Sequence, residues 1–382
     1  MTSKLKMLSF GVALCVLQSW PAMAQESVKI GAIFSLNGPA APFGIPERDA
    51  LQILVNKHNA DAAPGSRKIE LIIQDEQTNP TEAARAATKL IQQDNVQAII
   101  GPTIGSSALA ILPIAATAKV PVISPVGTIP VTAKESAFFP WVFRSCTNDE
   151  LLVAGAMDLG VFKKGYKRLA IMYQEDAYGK NSAIYATKLA QEKGVEIVGS
   201  ASVPGNAVDL SAAATKIRNM NPDAVLLWTS SPAMGAAFMR AAKQVGITAP
   251  VVGAGALVQR AFIDASGDAA ENVTMVSIGN WDDPSPKLQK LGELLRANGK
   301  TPAGFGELLS AAAATVLFDA LEKVDGPVTG QKIRDALDSV CTESAYIDGK
   351  LCYNATNHEG FGMDSLKAVT IKSGKFQTVS GN

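Results

Sequence analysis

"AIIGPTIGSSALA", residues 98–110, sets an apolar run (Ala98, Ile99, Ile100) against a Gly101-Pro102 break, a hydroxyl-rich turn from Thr103 to Ser107 and an alanine-rich stretch of helical character. A strand that feeds a small neutral turn and then a helix puts unpaired backbone N–H groups and the positive end of a helix dipole at one spot. Such a spot holds an anion. Which anion, and whether it is merely held, has to come from the rest of the chain.

Working outward, the same alternation recurs. "VKIGAIF" (28–34) precedes "ERDALQILVNKHN" (47–59), and "KIELIIQ" (68–74) precedes "PTEAARAATKLIQQ" (80–93), where Pro80 suits a helix start. "VPVISP" (120–125) reads as another strand. The pattern resumes with "RLAIMY" (168–173), "YGKNSAIYATKLAQEKG" (178–194), "VEIVGS" (195–200), "DAVLLW" (223–228) and "AMGAAFMRAAKQVG" (233–246). Near-continuous apolar strands between amphipathic helices indicate an α/β fold with parallel sheets covered on both faces. "NVQAIIGPTIGSSALA" and "PDAVLLWTSSPAMGAA" share one design, strand, Ser/Thr/Pro turn and small-residue helix. Two doubly wound lobes are expected, each presenting a helix N-terminus at the carboxyl edge of its sheet, where open α/β sheets bind ligands. "LLSAAAATVLF" (308–318) lies between Glu307 and Asp319 and is too short to span a bilayer, so it reads as a core helix.

The chain has 382 residues, 47% of them hydrophobic, with 35 Lys+Arg against 35 Asp+Glu. That length predicts about two domains, and the balanced charge argues against a nucleic-acid or polyanion partner. Lys4 and Lys6 precede "MLSFGVALCVL", and "AMA" (22–24) offers a small-residue cleavage site before Gln25. This is the pattern of a secretory signal peptide over residues 1–24, cleaved near Ala24. Cys15 follows Leu14 inside the apolar segment, which disfavours lipid anchoring. Export permits a disulfide: Cys341 and Cys352 bracket "CTESAYIDGKLC" and suit a stapled hairpin, leaving Cys146 as a buried free thiol.

Catalytic signatures are missing. No nucleophile elbow, zinc-protease helix or phosphate-binding Walker sequence occurs, and "GAGALV" (253–258) lacks the third glycine of a dinucleotide fingerprint. Asp75 and Glu76 are neighbours on an extended segment and point apart, so a solvated loop is expected there. Ser106 and Ser107 have no evident base, and His58 and His358 read as structural or surface residues. No metal or cofactor is expected. What remains is a binding surface.

In combination, "VKIGAIFSLNGPAAPFG", "IIGPTIGSSALAILPIAATAKVPVISPVGT", "VFRSCTND" and "EDAYGKN" resemble the periplasmic leucine/isoleucine/valine-binding proteins of branched-chain amino-acid ABC transporters. The resemblance runs from about residue 28 to the C-terminus. It implies two doubly wound lobes joined by three crossovers, one lobe from 26–146 plus 278–348 and the other from 147–277 plus 349–382, closing on a ligand. It also implies a periplasmic monomer that serves a membrane permease. By that resemblance Thr103, Gly105, Ser106, Val126, Gly127 and Thr128 hold a ligand carboxylate through backbone N–H groups and hydroxyls; on the residues alone, Ser106 equally suits a helix cap. Phe43 and Tyr178 match aromatics that cover the ligand from either lobe. Ser230 falls where another aromatic is common, and Trp228 either supplies that ring or sits in the core.

Two departures from the family pattern are visible. The hydroxyl of the first turn is shifted by one, reading Gly105-Ser106. The turn at Gly255, which often supplies an acidic residue to a ligand ammonium, has no Asp or Glu between Val251 and Ala261. An ammonium buried without an anion is costly, so the expectation is an aromatic carboxylate, with a branched-chain or other hydrophobic amino acid as the alternative. A ligand sensor or an exported enzyme would be the remaining readings.

Overall fold

The computed structural model describes residues 27–63 and 66–379; the expected leader over 1–24 lies outside the described residues. The first sheet takes its strands from the opening third of the chain. They are β1 (Val28–Phe34), β2 (Ile69–Asp75), β3 (Ala98–Ile100), β4 (Val122–Ser124) and β5 (Val142–Arg144), interleaved with helices α1 (Ala41–Asp61), α2 (Pro80–Gln92) and α3 (Gly105–Thr117). All five strands run parallel in the order β2-β1-β3-β4-β5. β1 is buried almost throughout because strands flank it and helices cover both faces, which explains its unbroken apolar run. α2 starts where Asn79 accepts the Thr81 N–H at 2.8 Å and Pro80 supplies a preset φ.

The second sheet repeats this winding. α4 (Asp149–Met157), β6 (Arg168–Gln174), α5 (Ala177–Glu192), β7 (Glu196–Val203), α6 (Ser211–Asn219), β8 (Ala224–Trp228), α7 (Pro232–Val245), β9 (Val251–Gly253), α8 (Arg260–Ser266) and β10 (Thr274–Ser277) follow in sequence. The chain then returns to the first lobe through α9 (Pro286–Ala297), α10 (Phe305–Glu322), α11 (Gly330–Leu337) and the hairpin β11 (Cys341–Glu343) and β12 (Lys350–Cys352). It ends in the second sheet with β13 (Lys367–Lys372) and β14 (Lys375–Val379), both antiparallel additions, giving the order β14-β13-β10-β9-β8-β6-β7. β3 and β8 are the matching third strands, each beside the point where strand order reverses. "LLSAAAATVLF" lies within α10, which is buried on nearly every face; among the described residues no helix is long and apolar enough to cross a membrane.

The third crossover comes later than 348/349. That cut falls inside the β11–β12 hairpin, and Leu351, Tyr353 and Phe361 pack in the first lobe's core. Val369, Ile371 and Phe376 join the second lobe's core. Hairpin pairing and burial hold residues 349–361 on the first lobe, so the chain changes lobe between Phe361 and Lys367.

Cys341 and Cys352 face each other across that hairpin and are bonded, S–S 2.03 Å; Cys146 is buried and unbridged. His358 is buried between the rings of Phe139 and Phe143, with Nε2 3.0 Å from Asp338, and His58 stacks on Phe318. Replacing Cys341 and Cys352 together with alanine is expected to lower stability by about 2–4 kcal/mol. Ligand affinity should stay at the parent value, because the hairpin does not line the cleft. Urea unfolding and calorimetric titration of the same sample check both statements.

Candidate ligand-binding cleft

Where the carboxyl edges of the two sheets face each other, a narrow cavity of about 60 Å³ lies between the lobes. Its floor on the first lobe is the start of α3. That helix begins after Ile104 with no side-chain cap, so its opening N–H groups are free to meet a ligand. Ser106 therefore does not cap α3; it sits half-buried in the first turn, and its side chain is not among those lining the cavity.

The turn after β4 meets this helix end at contact distance. A Cβ on Gly105 would stand 1.9 Å from Thr128 Oγ1, and one on Gly127 would stand 2.0 Å from Asp149 Oδ1. Glycine is required at both places because a hydroxyl and a carboxylate occupy the space a side chain would take. Arg144 holds the turn from behind. Its guanidinium is fully buried and donates to the carbonyls of Val126 and of Thr128 (3.1 Å), to Thr132 Oγ1 (2.5 Å) and to Glu359 Oε2 (3.0 Å).

Thr103 is held from two sides. Its hydroxyl donates to Glu47 Oε2 at 2.5 Å and accepts the Ser35 N–H at 3.0 Å, while its own N–H donates to Glu76 Oε1 at 3.0 Å. The Thr103 hydroxyl is thus consumed in fixing the turn. Glu76 is fully buried, not in a solvated loop, because Ser35 and Thr103 draw it inward. Burial raises its pKa to about 7 and pushes that of Glu47 well above the usual range.

Phe43, Thr103, Gly105, Val126, Gly127, Thr128, Tyr178 and Ser230 come together around the cavity. Trp228 and Gly255 do not. Trp228 is fully buried, its ring 6.0 Å from that of Tyr178, which it backs from the core. Gly255 packs against the Val276 carbonyl, and Ala256 lines the cavity in its place.

Sequence reasoning overlooked Asp149 and Asp176. Both line the cavity, and no Lys, Arg or His does so. Asp149 is 1% exposed, and neither of its carboxyl oxygens makes a hydrogen bond of good geometry, although the nearby Thr128 hydroxyl favours its ionised form; Thr147 Oγ1 and Tyr178 OH are likewise buried and unpaired. Burial lifts the Asp149 pKa to about 8, with Arg144 pulling it down and Asp176 pushing it up. Asp176 caps α5, Oδ1 accepting the Gly179 N–H at 2.8 Å, and its pKa is also raised by burial. Acidic residues thus reach the cleft from the first turn of α4 and the cap of α5, not from the turn at Gly255. "CTND" and "EDAYG" carried the signal, but both aspartates read as ordinary helix-start residues.

These features define a ligand-binding cleft between two lobes. Residues 27–375 match the family model of the periplasmic binding proteins, and the chain belongs to that family. It is 24% identical over 338 residues to the leucine-, isoleucine-, valine-, threonine- and alanine-binding protein of Pseudomonas aeruginosa, covering 88% of each chain. Among solved structures it is similar to a leucine-binding protein of Thermotoga maritima (TM-score 0.80, 25% identity, 92% of this chain and 98% of that one). It is also similar to an ABC-transporter solute-binding protein of Rhodopseudomonas palustris in complex with benzoate (TM-score 0.82, 21% identity, 93% and 96%). The family is periplasmic, and its transporter members carry small solutes to a membrane permease.

Two predictions follow from the geometry. Gly105→Ala should displace Thr128 at a stability cost of about 1–3 kcal/mol and weaken ligand binding roughly tenfold or more through one lost hydrogen bond to a charged group; differential scanning and titration calorimetry read the two effects. Asp149 binds its proton more tightly folded (pKa about 8) than unfolded, where a carboxyl takes its ordinary value of 3.8. Its contribution to stability is therefore intact below about pH 4 and lost as pH rises through 8. Asp149→Asn should melt above the parent at pH 9 in the ligand-free state, with the gap closing as pH approaches 4.

Proposed function

We propose that this chain is the solute-binding component of an ABC importer and that it holds an α-amino acid with an apolar side chain. The observation that carries the reading is the buried, unpaired carboxyl of Asp149 beside the uncapped start of α3. The helix N-terminus with Thr128 suits a carboxylate, worth about 1.5–3 kcal/mol for each hydrogen bond to the charge. Asp149, Asp176 and the Tyr178 hydroxyl suit an ammonium and reject a second anion. Phe43, Ile104, Leu152, Ala256, Phe305 and Leu309 supply an apolar wall for the side chain, and the Phe43 and Phe305 rings lie 6.2 Å apart.

An aromatic carboxylate is the second reading, favoured by those rings and by the benzoate complex of the Rhodopseudomonas protein. In that case Asp149 would stay protonated and donate to the ligand. The two readings differ in proton balance. At pH 7 the Asp149 carboxyl, with its pKa near 8, is mostly protonated; an arriving ammonium favours the ionised form and expels the proton, whereas benzoate does not.

Titration calorimetry with L-leucine and with benzoate, in buffers of different ionisation enthalpy at pH 7, tests this. Leucine binding should release close to one proton per ligand, and Asp149→Asn should abolish the release and cost about 2–5 kcal/mol of affinity. Tight benzoate binding with no leucine binding would overturn the amino-acid reading in favour of the aromatic one. Turnover of either ligand on long incubation would overturn the binding role itself.

A further inference from the structure

Glu359 lies on the first lobe, after the β11–β12 hairpin and just before the third crossover to β13. Its Oε1 accepts the Thr132 hydroxyl at 2.6 Å; its Oε2 accepts both Arg144 Nε at 3.0 Å and Asn148 Nδ2 at 2.9 Å. Through Arg144 this carboxylate reaches the carbonyls of Val126 and Thr128, the turn that faces the ligand on the first lobe. Through Asn148 it reaches α4 of the second lobe, because Asn148 Oδ1 caps that helix at the Leu151 N–H (2.9 Å). The next residue is Asp149, whose own N–H donates to the Gly127 carbonyl at 2.8 Å. The end of β5, which leads into the first crossover, is bonded to the same segment along the backbone, Arg144 N–H to the His358 carbonyl at 2.9 Å.

We propose that Glu359 is a positioning residue for the cleft: one first-lobe carboxylate locks the ligand-facing turn of its own lobe to the helix that carries Asp149 on the other. It rests on the reading of this cleft as the binding site and is independent of which ligand enters. Glu359 touches no cleft-lining atom of its own and acts through Arg144 and Asn148. Loosening it frees the first crossover and lets the lobes part more often, carrying the two halves of the site out of register.

Cys146 is a built-in reporter. It sits on the first crossover, 4% exposed, and is the free cysteine among the described residues. Burial holds its thiol at a pKa of about 12, so it reacts only when the crossover opens. The experiment is the rate of N-ethylmaleimide labelling of ligand-free protein, with peptide mass spectrometry to identify the residue and urea unfolding to record global stability. Glu359→Gln removes the charge, and Glu359→Asp keeps it while drawing it back by one methylene. Both should label Cys146 roughly tenfold faster or more, as expected from losing a hydrogen bond to a charged group, and by more than any shift in the urea midpoint accounts for. The Asp variant excludes an effect of charge on the thiol alone.

Labelling at the wild-type rate in both variants overturns the proposal. So does acceleration that merely tracks a loss of global stability. Wild-type protein that binds neither L-leucine nor benzoate would undo the ligand reading and leave the labelling result to decide this one. Where a ligand does bind, Glu359→Asp should weaken it and reduce its protection of Cys146.

Discussion

A carboxyl buried without a cation constrains everything around it. Asp149 is fully enclosed, and neither oxygen makes a hydrogen bond of good geometry. An ionised carboxylate in such a place is strongly unfavourable, so the group takes up a proton or waits for a positive ligand. Arg144 stands close enough to moderate that cost but is itself committed to the Val126 and Thr128 carbonyls and to Glu359. Arg144, buried beside the cleft, is spent on shaping the turn. The charge that would satisfy Asp149 has to come from outside.

The same economy of cations appears beneath the helix. Glu47, Glu76 and Glu307 are all buried, each with its pKa raised first by burial, and Glu47 feels the other two as like charges. Their work is local hydrogen bonding. Glu47 and Glu76 fix Thr103 from opposite sides, and Glu307 accepts the N–H groups of Ala303 and Gly304 at 2.7 and 3.0 Å. Buried acids that are hydrogen-bonded and protonated can fix a backbone without adding charge to the site. The N-cap residue Ile104 lays no side chain over the start of α3, where Glu76 holds the preceding turn through the Thr103 N–H.

How much of this was legible in the sequence depends on how local the cause is. "VKIGAIF" became β1 with the same limits because a buried parallel strand is marked by its own composition. α2 announced itself through Asn79 and Pro80. The return of the chain through α9, α10 and α11 to the first lobe, and the side of the cut on which residues 349–361 fall, depend on pairing and packing between distant segments. At the site, Gly105, Gly127 and Thr128 were visible through their motifs. Asp149 was not, since an acid at the first position of a helix after Asn148 is what helix-start chemistry alone would place there. Glu76 looked solvated beside Asp75 because nothing in "QDEQTNP" shows that Ser35 and Thr103, far along the chain, pull it into the interior.

On the proposed reading, the division of charge between lobes explains why closure needs the ligand. The donors to the ligand carboxylate, the α3 N-terminus and Thr128, belong to the first lobe; Asp149, Asp176 and Tyr178 belong to the second. Either half alone offers a zwitterion only one of its two charge partners. A ligand shifts a conformational equilibrium only by its difference in affinity for the two states. The end left unsatisfied on one lobe gains its partner only when the lobes meet, worth about 1.5–3 kcal/mol per charged hydrogen bond, and two such bonds approach the ~5.5 kcal/mol that reverses a hundredfold preference for the open state. A ligand with one charge is already satisfied on the first lobe and has to draw closure from apolar contacts with the second, at Leu152, so selectivity in this cleft follows from what it takes to hold the lobes together.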